Sequence, residues 1–191
     1  MAFWLVYQGN SWDRARKGGY LWAPKIGRRG QTQVYWSNME KVQPGDLIFS
    51  GVDGAIRAIC EVQLPAYGSD RPDPRDEQHW YGDGWRLDVD YTDLPQPLNY
   101  RDWVPAALGE MPTLHSPFHS GAKPNQGYLY ALPNSVGTYI VQLVLQQDVN
   151  LILKASFALS RKERDTTRQQ LVAARVGQGR FRKDLLERWG G

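Results

Sequence analysis

The chain has 191 residues, a length typical of one domain with or without an appendage. Hydrophobic residues make up 41% and charged residues 23%, so the composition supports a packed core and excludes a disordered polyampholyte. The single cysteine, Cys60, excludes an intramolecular disulfide framework and a cysteine-ligated zinc site. No run approaches the roughly 18 apolar residues of a membrane span, and no secretory signal is visible, so we expect a cytoplasmic protein without a membrane partner.

The net charge of +3 is unevenly distributed along the chain. Residues 1–153 carry 13 Lys and Arg against 16 Asp and Glu, whereas residues 154–191 carry 10 against 4. A basic tail on a near-neutral body is typical of contact with a polyanion such as nucleic acid, although a solvated helix face would show the same pattern. We therefore predict a domain over residues 1–153 and a basic helical linker over residues 154–191.

The first quarter of the chain alternates between apolar runs and turn residues. Residues 3–8 (FWLVYQ) are apolar and β-prone and predict a first strand. Residues 10–30 contain many Gly and Pro and predict a loop or a short helix, followed by a short strand at 33–36. Residues 43–46 (QPGD) predict a turn that leads into a strand at 47–50.

The middle of the chain predicts a hairpin and two long loops. The turn at 52–54 (VDG) precedes an alternating strand at 55–65, and residues 67–84 follow as a Gly-, Pro- and Asp-rich loop. Residues 85–91 (WRLDVDY) alternate cleanly and predict a strand that ends before the prolines at 95–97. The second long loop is predicted at 114–127.

The remaining segments complete an α+β fold class. Residues 100–108 predict a short helix, and the segments 128–132 and 139–145 are apolar. The capping box at 160–163 (SRKE) predicts a helix start, and residues 181–189 predict an amphipathic helix. Because the strands are short and no βαβ alternation appears, we predict a small, partly open pseudo-barrel of mixed strands with a few helices.

No catalytic constellation is evident in the sequence. There is no phosphate-binding glycine loop and no HExxH or CxxC motif. His115 and His119 are four residues apart, but Pro117 between them argues against a helix that would bring them together. We therefore predict no catalytic residue, no metal and no cofactor, and expect that this chain by itself is not an enzyme.

The aromatic content predicts a binding pocket for a flat ring, since there are 8 Trp and 10 Tyr. Extruded bases are held by stacking on aromatic faces and by hydrogen bonds to the base edge. Core packing is the competing interpretation for each tryptophan, a helix N-cap for residues 37–38 and a plain turn for residues 125–127. By strand alternation, Trp4 and Trp85 are assigned to the core. The candidate base-binding residues are Trp36, Ser37, Asn38, Trp22, Trp12, Tyr128, Asn125 and Gln126.

Basic residues occur in the same predicted loops and are candidates for phosphate contacts. Such contacts set affinity and salt dependence and carry little sequence information. The candidates for contact with a DNA backbone are Arg14, Arg16, Lys17, Lys25, Arg28, Arg29 and Lys123.

The order of these features resembles the EVE domain of the PUA/YTH/ASCH-like superfamily over residues 3–145. The most specific pieces are M-x-x-V-x-x-G-D-x-I-F at 39–49, E-V-x-x-P-A-Y at 61–67 and NQGYLY at 125–130. The resemblance implies a PUA-like pseudo-barrel that flips a modified base into an aromatic cage. The insertions at 66–84 and 115–124 depart from the family pattern and leave open which rings line the cage.

The tail shows a second resemblance. Residues 175–186 (RVGQGRFRKDLL) are similar to the segment that precedes an HNH nuclease module in modification-dependent restriction enzymes. The nuclease residues would lie after Gly191. The resemblance implies a bacterial defence protein in which this domain targets an HNH endonuclease to double-stranded DNA carrying 5-methyl- or 5-hydroxymethylcytosine.

The sequence alone leaves three alternatives open. The chain could be a YTH- or PUA-like reader of a modified RNA base, a small-ligand or signalling domain, or a hydrolase that uses His115 or His119. The sequence also leaves open whether the chain forms a homodimer.

Overall fold

The computed structural model describes residues 1–72 and 82–158. The chain divides into two compact units, residues 1–144 and residues 145–191. All described strands belong to the first unit, and the second unit is described only as the end of a helix that reaches Ala158. No helix in the described ranges is long and apolar enough to cross a membrane. The predicted capping box at 160–163, the helix at 181–189 and the HNH-like segment lie outside the described residues.

Short strands and short helices alternate along the described part of the chain. In chain order they are β1 (Phe3–Tyr7), α1 (Trp12–Gly18), β2 (Tyr20–Pro24), α2 (Val34–Ser37), a 3-10 turn (Asn38–Lys41), β3 (Leu47–Val52), β4 (Ala55–Val62), β5 (Tyr67–Ser69), β6 (Gly84–Asn99), α3 (Tyr100–Ala107), a 3-10 turn (Leu108–Glu110), β7 (Phe118–His119), β8 (Lys123–Pro124), β9 (Leu129–Leu132) and α4 (Asn134–Ala158).

Seven of these strands form one mixed sheet. Its order is β2-β6-β4-β3-β1-β9, with β5 also paired to β6. Strands β1 and β3 are parallel, and the other neighbours are antiparallel. The sheet curls into a half-barrel, which confirms the predicted α+β pseudo-barrel of short mixed strands with a few helices.

The core lies on both faces of β1 because all but the last of its residues are buried. Alternation sends Trp4 and Val6 to the interior of the half-barrel and Phe3, Leu5 and Tyr7 to the opposite face. The opposite face is packed with aromatic rings from α3, β7 and β9. The interior cluster contains Trp4, Val6, Leu21, Ala23, Trp36, Met39, Val42, Ile48, Cys60, Val62, Leu87, Val89 and Leu129.

Two of the predicted turns are confirmed, and their residues show why they turn. Asp53 and Gly54 both have positive φ, at 50° and 79°, as a two-residue hairpin turn requires. The turn before β3 ends in Asp46, whose side chain is buried. Its carboxylate accepts hydrogen bonds from the Ala2 N–H at 2.6 Å and the Trp4 indole N–H at 3.1 Å. The turn residue therefore fastens the start of β1 to the start of β3.

Five local predictions are wrong. Residues 67–69, in the predicted loop 67–84, form β5 and pair with β6, and residues 118–119 and 123–124, in the predicted loop 114–127, pair as β7 and β8. Residues 20–24 form β2, because the sheet pairing with β6 outweighs the interrupting glycines nearby. Residues 34–37 form helix α2 in place of the predicted strand at 33–36. The prolines at 95–97 do not end β6, which continues to Asn99. The register with β4 shifts there, between Ile56 and Ala58, so the prolines need not take part in a regular ladder of hydrogen bonds.

Candidate nucleic-acid interface

Tyr20 and Trp22 lie on the outer face of the half-barrel. Leu21 and Ala23, which alternate with them along β2, are buried in the interior. Because successive side chains of a strand point to opposite faces, the rings of Tyr20 and Trp22 point outward. This position follows from the pairing of β2 with β6, which the loop prediction for residues 10–30 had missed.

A row of three side chains crosses this face. In the strand register, Trp22 is opposite Arg86, and Arg86 is opposite Tyr67 of β5. Tyr67 is 40% exposed, and Trp22, Arg86 and Tyr20 are half-buried. We call Tyr20, Trp22, Tyr67 and Arg86 the aromatic–basic face. It combines rings that can stack with a cation that can meet a phosphate.

Trp22 is held in place by hydrogen bonds at two points. Its indole N–H donates to the Ser69 carbonyl oxygen at 3.2 Å, and its backbone N–H donates to the Tyr128 hydroxyl at 3.2 Å. Gly84 faces Trp22 across the sheet, and a Cβ there would overlap the indole ring. The ring position is therefore fixed by β5, β6 and the segment before β9.

Tyr128 and Tyr91 close the open edge of β2. Among the described residues, β2 pairs with a strand only through β6, so its other edge presents unpaired backbone groups. The Tyr91 hydroxyl lies 3.2 Å from the Tyr20 carbonyl oxygen and accepts a hydrogen bond from the Gln8 amide at 2.9 Å. Burial raises the pKa of both Tyr91 and Tyr128, so both phenols stay protonated. Tyr91 can then donate to the Tyr20 carbonyl, whereas Tyr128 accepts from the Trp22 N–H.

Three cation–ring contacts occur in the described part of the chain, one of them on the aromatic–basic face. The Arg86 guanidinium lies 4.5 Å from the Tyr20 ring centroid, and the Lys25 ammonium lies 4.5 Å from that of Trp85. The Arg16 guanidinium lies 5.9 Å from the Trp12 ring centroid. Trp12 is half-buried and meets Tyr91 edge-on at 5.7 Å. A Lys or Arg placed over a ring packs its aliphatic chain against the ring and keeps its charged group at the surface.

Each of these cations also has a carboxylate partner. Arg16 donates to Asp93 at 2.7 Å, Lys25 to Asp83 at 2.5 Å, and Arg86 to Asp88 at 2.9 Å. The hydrogen bond from Lys25 lowers the pKa of Asp83, and the hydrogen bond to Asp93 raises the pKa of Arg16. These pairs are exposed or half-buried, where phosphates can compete with carboxylates at little cost.

The other predicted backbone contacts are spread over two regions. Lys17 lies exposed on α1 beside Arg14, and Arg28 and Arg29 lie exposed in the loop after β2. Lys123 lies on β8, outside this group. The N-terminal basic residues thus lie on α1 and in the segment after β2, the two segments that flank β2 in the sequence.

The base-binding candidates at residues 36–38 lie largely inside the molecule. Trp36 is 7% exposed and belongs to the interior cluster, so little of its ring is available to a ligand. Asn38 is 8% exposed and donates its side-chain N–H to the Leu129 carbonyl oxygen at 2.9 Å. Ser37 is half-buried and makes no side-chain cap, so the N-cap interpretation is not observed either.

Asn125 and Gln126 lie at a different place from Trp22. They line an open cavity of about 700 Å³ together with Tyr35, His115 and the buried Phe118. The structure therefore divides the predicted cage into two groups, one around Trp22 and one around this cavity. We call the second group the Tyr35 cavity.

Sequence reasoning missed Arg86 and Tyr67 as site residues. The signal was present in WRLDVDY, because alternation alone places Arg86 on the opposite face from the buried Leu87. Without the pairing to β2 and β5, nothing in the sequence placed Arg86 beside Trp22.

No protein-family model and no curated protein matches the chain. The structure is similar to a protein from Pseudomonas putida, with 17% identity and a TM-score of 0.53 over 75% of this chain and 99% of that chain. It is also similar to a ZmASCH mutant protein from Zymomonas mobilis, with 9% identity and a TM-score of 0.50 over 75% and 99% of the two chains.

A further match is the YTH domain of the Zygosaccharomyces rouxii MRB1 protein in complex with N6-methyladenosine RNA. The identity is 11% and the TM-score is 0.46, over 75% of this chain and 83% of that chain. At identities this low, structural matches show the fold alone. The fold shared with the Zymomonas protein is an α+β half-barrel of short mixed strands.

Proposed function

We propose that this domain binds nucleic acid and recognises a modified base, which stacks against Trp22. The observation that carries the proposal is the fixed, half-buried Trp22 ring in one row with Arg86 and Tyr67. In its finer form the ligand is duplex DNA, and the extruded base is 5-methyl- or 5-hydroxymethylcytosine. The finer form, including delivery of an HNH nuclease to the DNA, is supported by the sequence resemblances of the body and the tail.

A ring that is fixed before binding stacks a base at low entropic cost. Stacking on an aromatic side chain contributes roughly 1–3 kcal/mol per base. The indole hydrogen bond to Ser69 and the close approach of Gly84 to the ring mean that the Trp22 rotamer is already chosen in the free protein. Stacking energy is therefore not offset by the ordering of a mobile side chain.

The surrounding cations would hold the backbone on either side of the extruded base. Arg28 and Arg29 occupy a tight loop that is closed by hydrogen bonds from the Gly27 N–H to the Gln31 carbonyl at 2.8 Å and from the Gly30 N–H to the Gly27 carbonyl at 2.9 Å. Such a loop projects both arginines, and we propose that they contact the strand or fill the space that the base leaves.

Discrimination by a methyl group is limited by its size. A buried methyl carbon contributes about 0.8 kcal/mol, which is about a fourfold preference over plain cytosine. A hydroxymethyl group adds the option of a hydrogen bond, worth about 0.5–1.5 kcal/mol. We therefore expect the preference to rise from cytosine to 5-methylcytosine to 5-hydroxymethylcytosine.

The proposal is tested by fluorescence anisotropy with one duplex that carries cytosine, 5-methylcytosine or 5-hydroxymethylcytosine at a single position. We expect a graded preference in the wild-type chain, which Trp22→Ala removes and Trp22→Phe largely keeps because the ring remains. Salt-dependent background binding should survive in both variants. Equal affinity of the wild-type chain for the three duplexes would contradict the cytosine form of the proposal.

The second candidate function is recognition of a modified base in single-stranded RNA. The open row of rings across β2, β6 and β5 favours it, since sheet platforms that stack splayed bases are typical of RNA-binding modules. Competition between a single-stranded RNA and a duplex DNA of the same sequence decides between the two. Preferential displacement by the RNA, also abolished by Trp22→Ala, would support the RNA form.

A further inference from the structure

The Tyr35 cavity has the volume of a small-molecule site, is open to solvent and shares no lining residue with the aromatic–basic face. Its volume of about 700 Å³ falls inside the range of about 300–1,000 Å³ that is usual for such sites. It is lined by amide, hydroxyl, imidazole, aromatic and aliphatic side chains, the imidazoles being those of His115 and His119. None of the residues that line it in the described part of the chain is Lys, Arg, Asp or Glu.

The polar groups of the cavity are held in place by neighbouring backbone. The Asn125 side-chain N–H donates to the Ser116 carbonyl oxygen at 2.9 Å, and its backbone N–H donates to the Pro117 carbonyl oxygen at 2.8 Å. The Tyr130 hydroxyl donates to the Asn125 carbonyl oxygen at 3.1 Å. Within the described residues, the Asn125 side-chain oxygen and its second N–H have no partner, nor has the Gln126 amide. Two amides thus offer donors and acceptors at the cavity.

The aromatic wall of the cavity is also fixed. The Tyr35 ring packs against Tyr130 with a centroid distance of 4.7 Å and meets His115 edge-on at 5.7 Å. Gly127 runs so close that a Cβ there would lie 2.9 Å from the Tyr35 ring and would overlap the Tyr130 hydroxyl. His115 itself has a φ of 56°, an uncommon backbone conformation for a residue other than glycine. The backbone of this region therefore packs closely against the rings of Tyr35 and Tyr130.

We propose that the Tyr35 cavity is a second binding site, and that its ligand is an uncharged nucleobase. A flat heterocycle matches a wall of fixed rings, and its edge matches the paired donors and acceptors of Asn125 and Gln126. A phosphate would find no Lys or Arg partner among the described lining residues, so the ring and not the phosphate is recognised there. The site goes beyond the proposed function, which places its base on Trp22.

The nucleobase can come from two sources, a free nucleoside or a second base of a strand bound on the aromatic–basic face. The segment 125–128 joins the two places, because Asn125 lines the cavity while Tyr128 binds β2. Three residue steps span at most about 11 Å. We therefore infer that neighbouring bases of one strand can occupy the two places.

The test is a titration of the full chain with the uncharged nucleosides deoxycytidine, 5-methyldeoxycytidine, deoxyadenosine and N6-methyldeoxyadenosine, followed by NMR or calorimetry. We expect at least one to bind with a Kd below about 1 mM. Asn125→Ala and Gln126→Ala should each weaken it about tenfold, and adding a 5′-phosphate to the nucleoside should not improve binding. Gln63→Ala serves as the matched control, because it removes an exposed amide that does not line the cavity.

A competition arm identifies the source of the base. If the cavity takes a base of the bound strand, saturating nucleoside and Asn125→Ala both weaken binding of an oligonucleotide. If it takes a free nucleoside, oligonucleotide affinity is unchanged by either. Absence of binding by all four nucleosides, or loss of binding in Trp22→Ala with retention in Asn125→Ala, would overturn the second site. Neither result would change the outcome of the oligonucleotide test of the proposed function, so the two proposals can fail separately.

Discussion

Trp22 and Trp36 are the same residue type in two regions with different physics. Trp36 lies in the closed interior of the half-barrel, among aliphatic side chains and Cys60. Trp22 lies on the outer face, in a row with a cation and a phenol. Aromatic content alone therefore does not locate a binding site, because strand register decides which rings stabilise the fold and which can meet a ligand.

The greatest loss of stability should occur on the interior side of this comparison. Trp36→Ala should destabilise the domain by about 3–5 kcal/mol, because it removes a buried aromatic ring and leaves a cavity. Trp22→Ala should cost only about 1 kcal/mol, because the ring is half-buried. Chemical denaturation of both variants measures the difference. Similar losses for the two variants would remove the distinction between the regions.

The carboxylates allow the same comparison for charged groups. Asp46 is 3% exposed and accepts three hydrogen bonds, so Asp46→Ala should cost about 3 kcal/mol by leaving buried donors without an acceptor. Asp88 pairs with Arg86 on the outer face, where Asp88→Ala should cost less than about 1 kcal/mol. The urea midpoints of the two variants measure the difference in stability. Asp46→Asn serves as a control that keeps the shape of the side chain and removes its charge.

On the outer face, Arg86 should contribute to binding through its charge. Arg86→Gln should weaken oligonucleotide binding and reduce the slope of log K against log salt by about one. The measurement is fluorescence anisotropy over a salt series. The control is Lys41→Gln, at the end of the 3-10 turn Asn38–Lys41, for which we expect an unchanged slope. An unchanged slope in Arg86→Gln would remove this residue from the interface.

The weakest of these effects concerns Cys60, which shares the interior with Trp36. Complete burial raises the pKa of its thiol, so little of the reactive thiolate forms while the domain is folded. We expect a thiol reagent to modify the native chain only at the rate of unfolding. Modification that is fast in native buffer would contradict a closed interior, and Trp36→Ala should accelerate it.

The fold was largely predictable from residue patterns. Apolar runs and turn signals located β1, β3, β4 and α3, because each is buried on at least one face and bounded by a turn. Strand β2 was not predictable, because its stability comes from pairing with residues more than sixty positions away along the chain. The continuation of β6 past its prolines was not predictable either, because it depends on a register shift in the pairing with β4.

The candidate site was predictable only by residue type. Trp22, Trp12 and Tyr128 were candidates by type, and all three are half-buried in the structure. Trp22 is hydrogen-bonded to Tyr128, whereas Trp12 packs against Tyr91. Trp36 and Asn38 have the same chemistry, but helix α2 and the following turn direct them inward. Local sequence does not distinguish these cases, since the difference lies in long-range packing. Whether these residues bind a base stays a prediction.

The proposed function depends above all on Trp22 being the ring on which the base stacks. This role is tested most directly by the indole N–H signals of the tryptophans in a ¹⁵N–¹H NMR titration with an oligonucleotide that carries one modified base. We predict that the Trp22 signal shifts strongly while the Trp36 signal keeps its position, and that an unmodified oligonucleotide shifts Trp22 less. A Trp22 signal that does not move at saturating oligonucleotide would contradict this role.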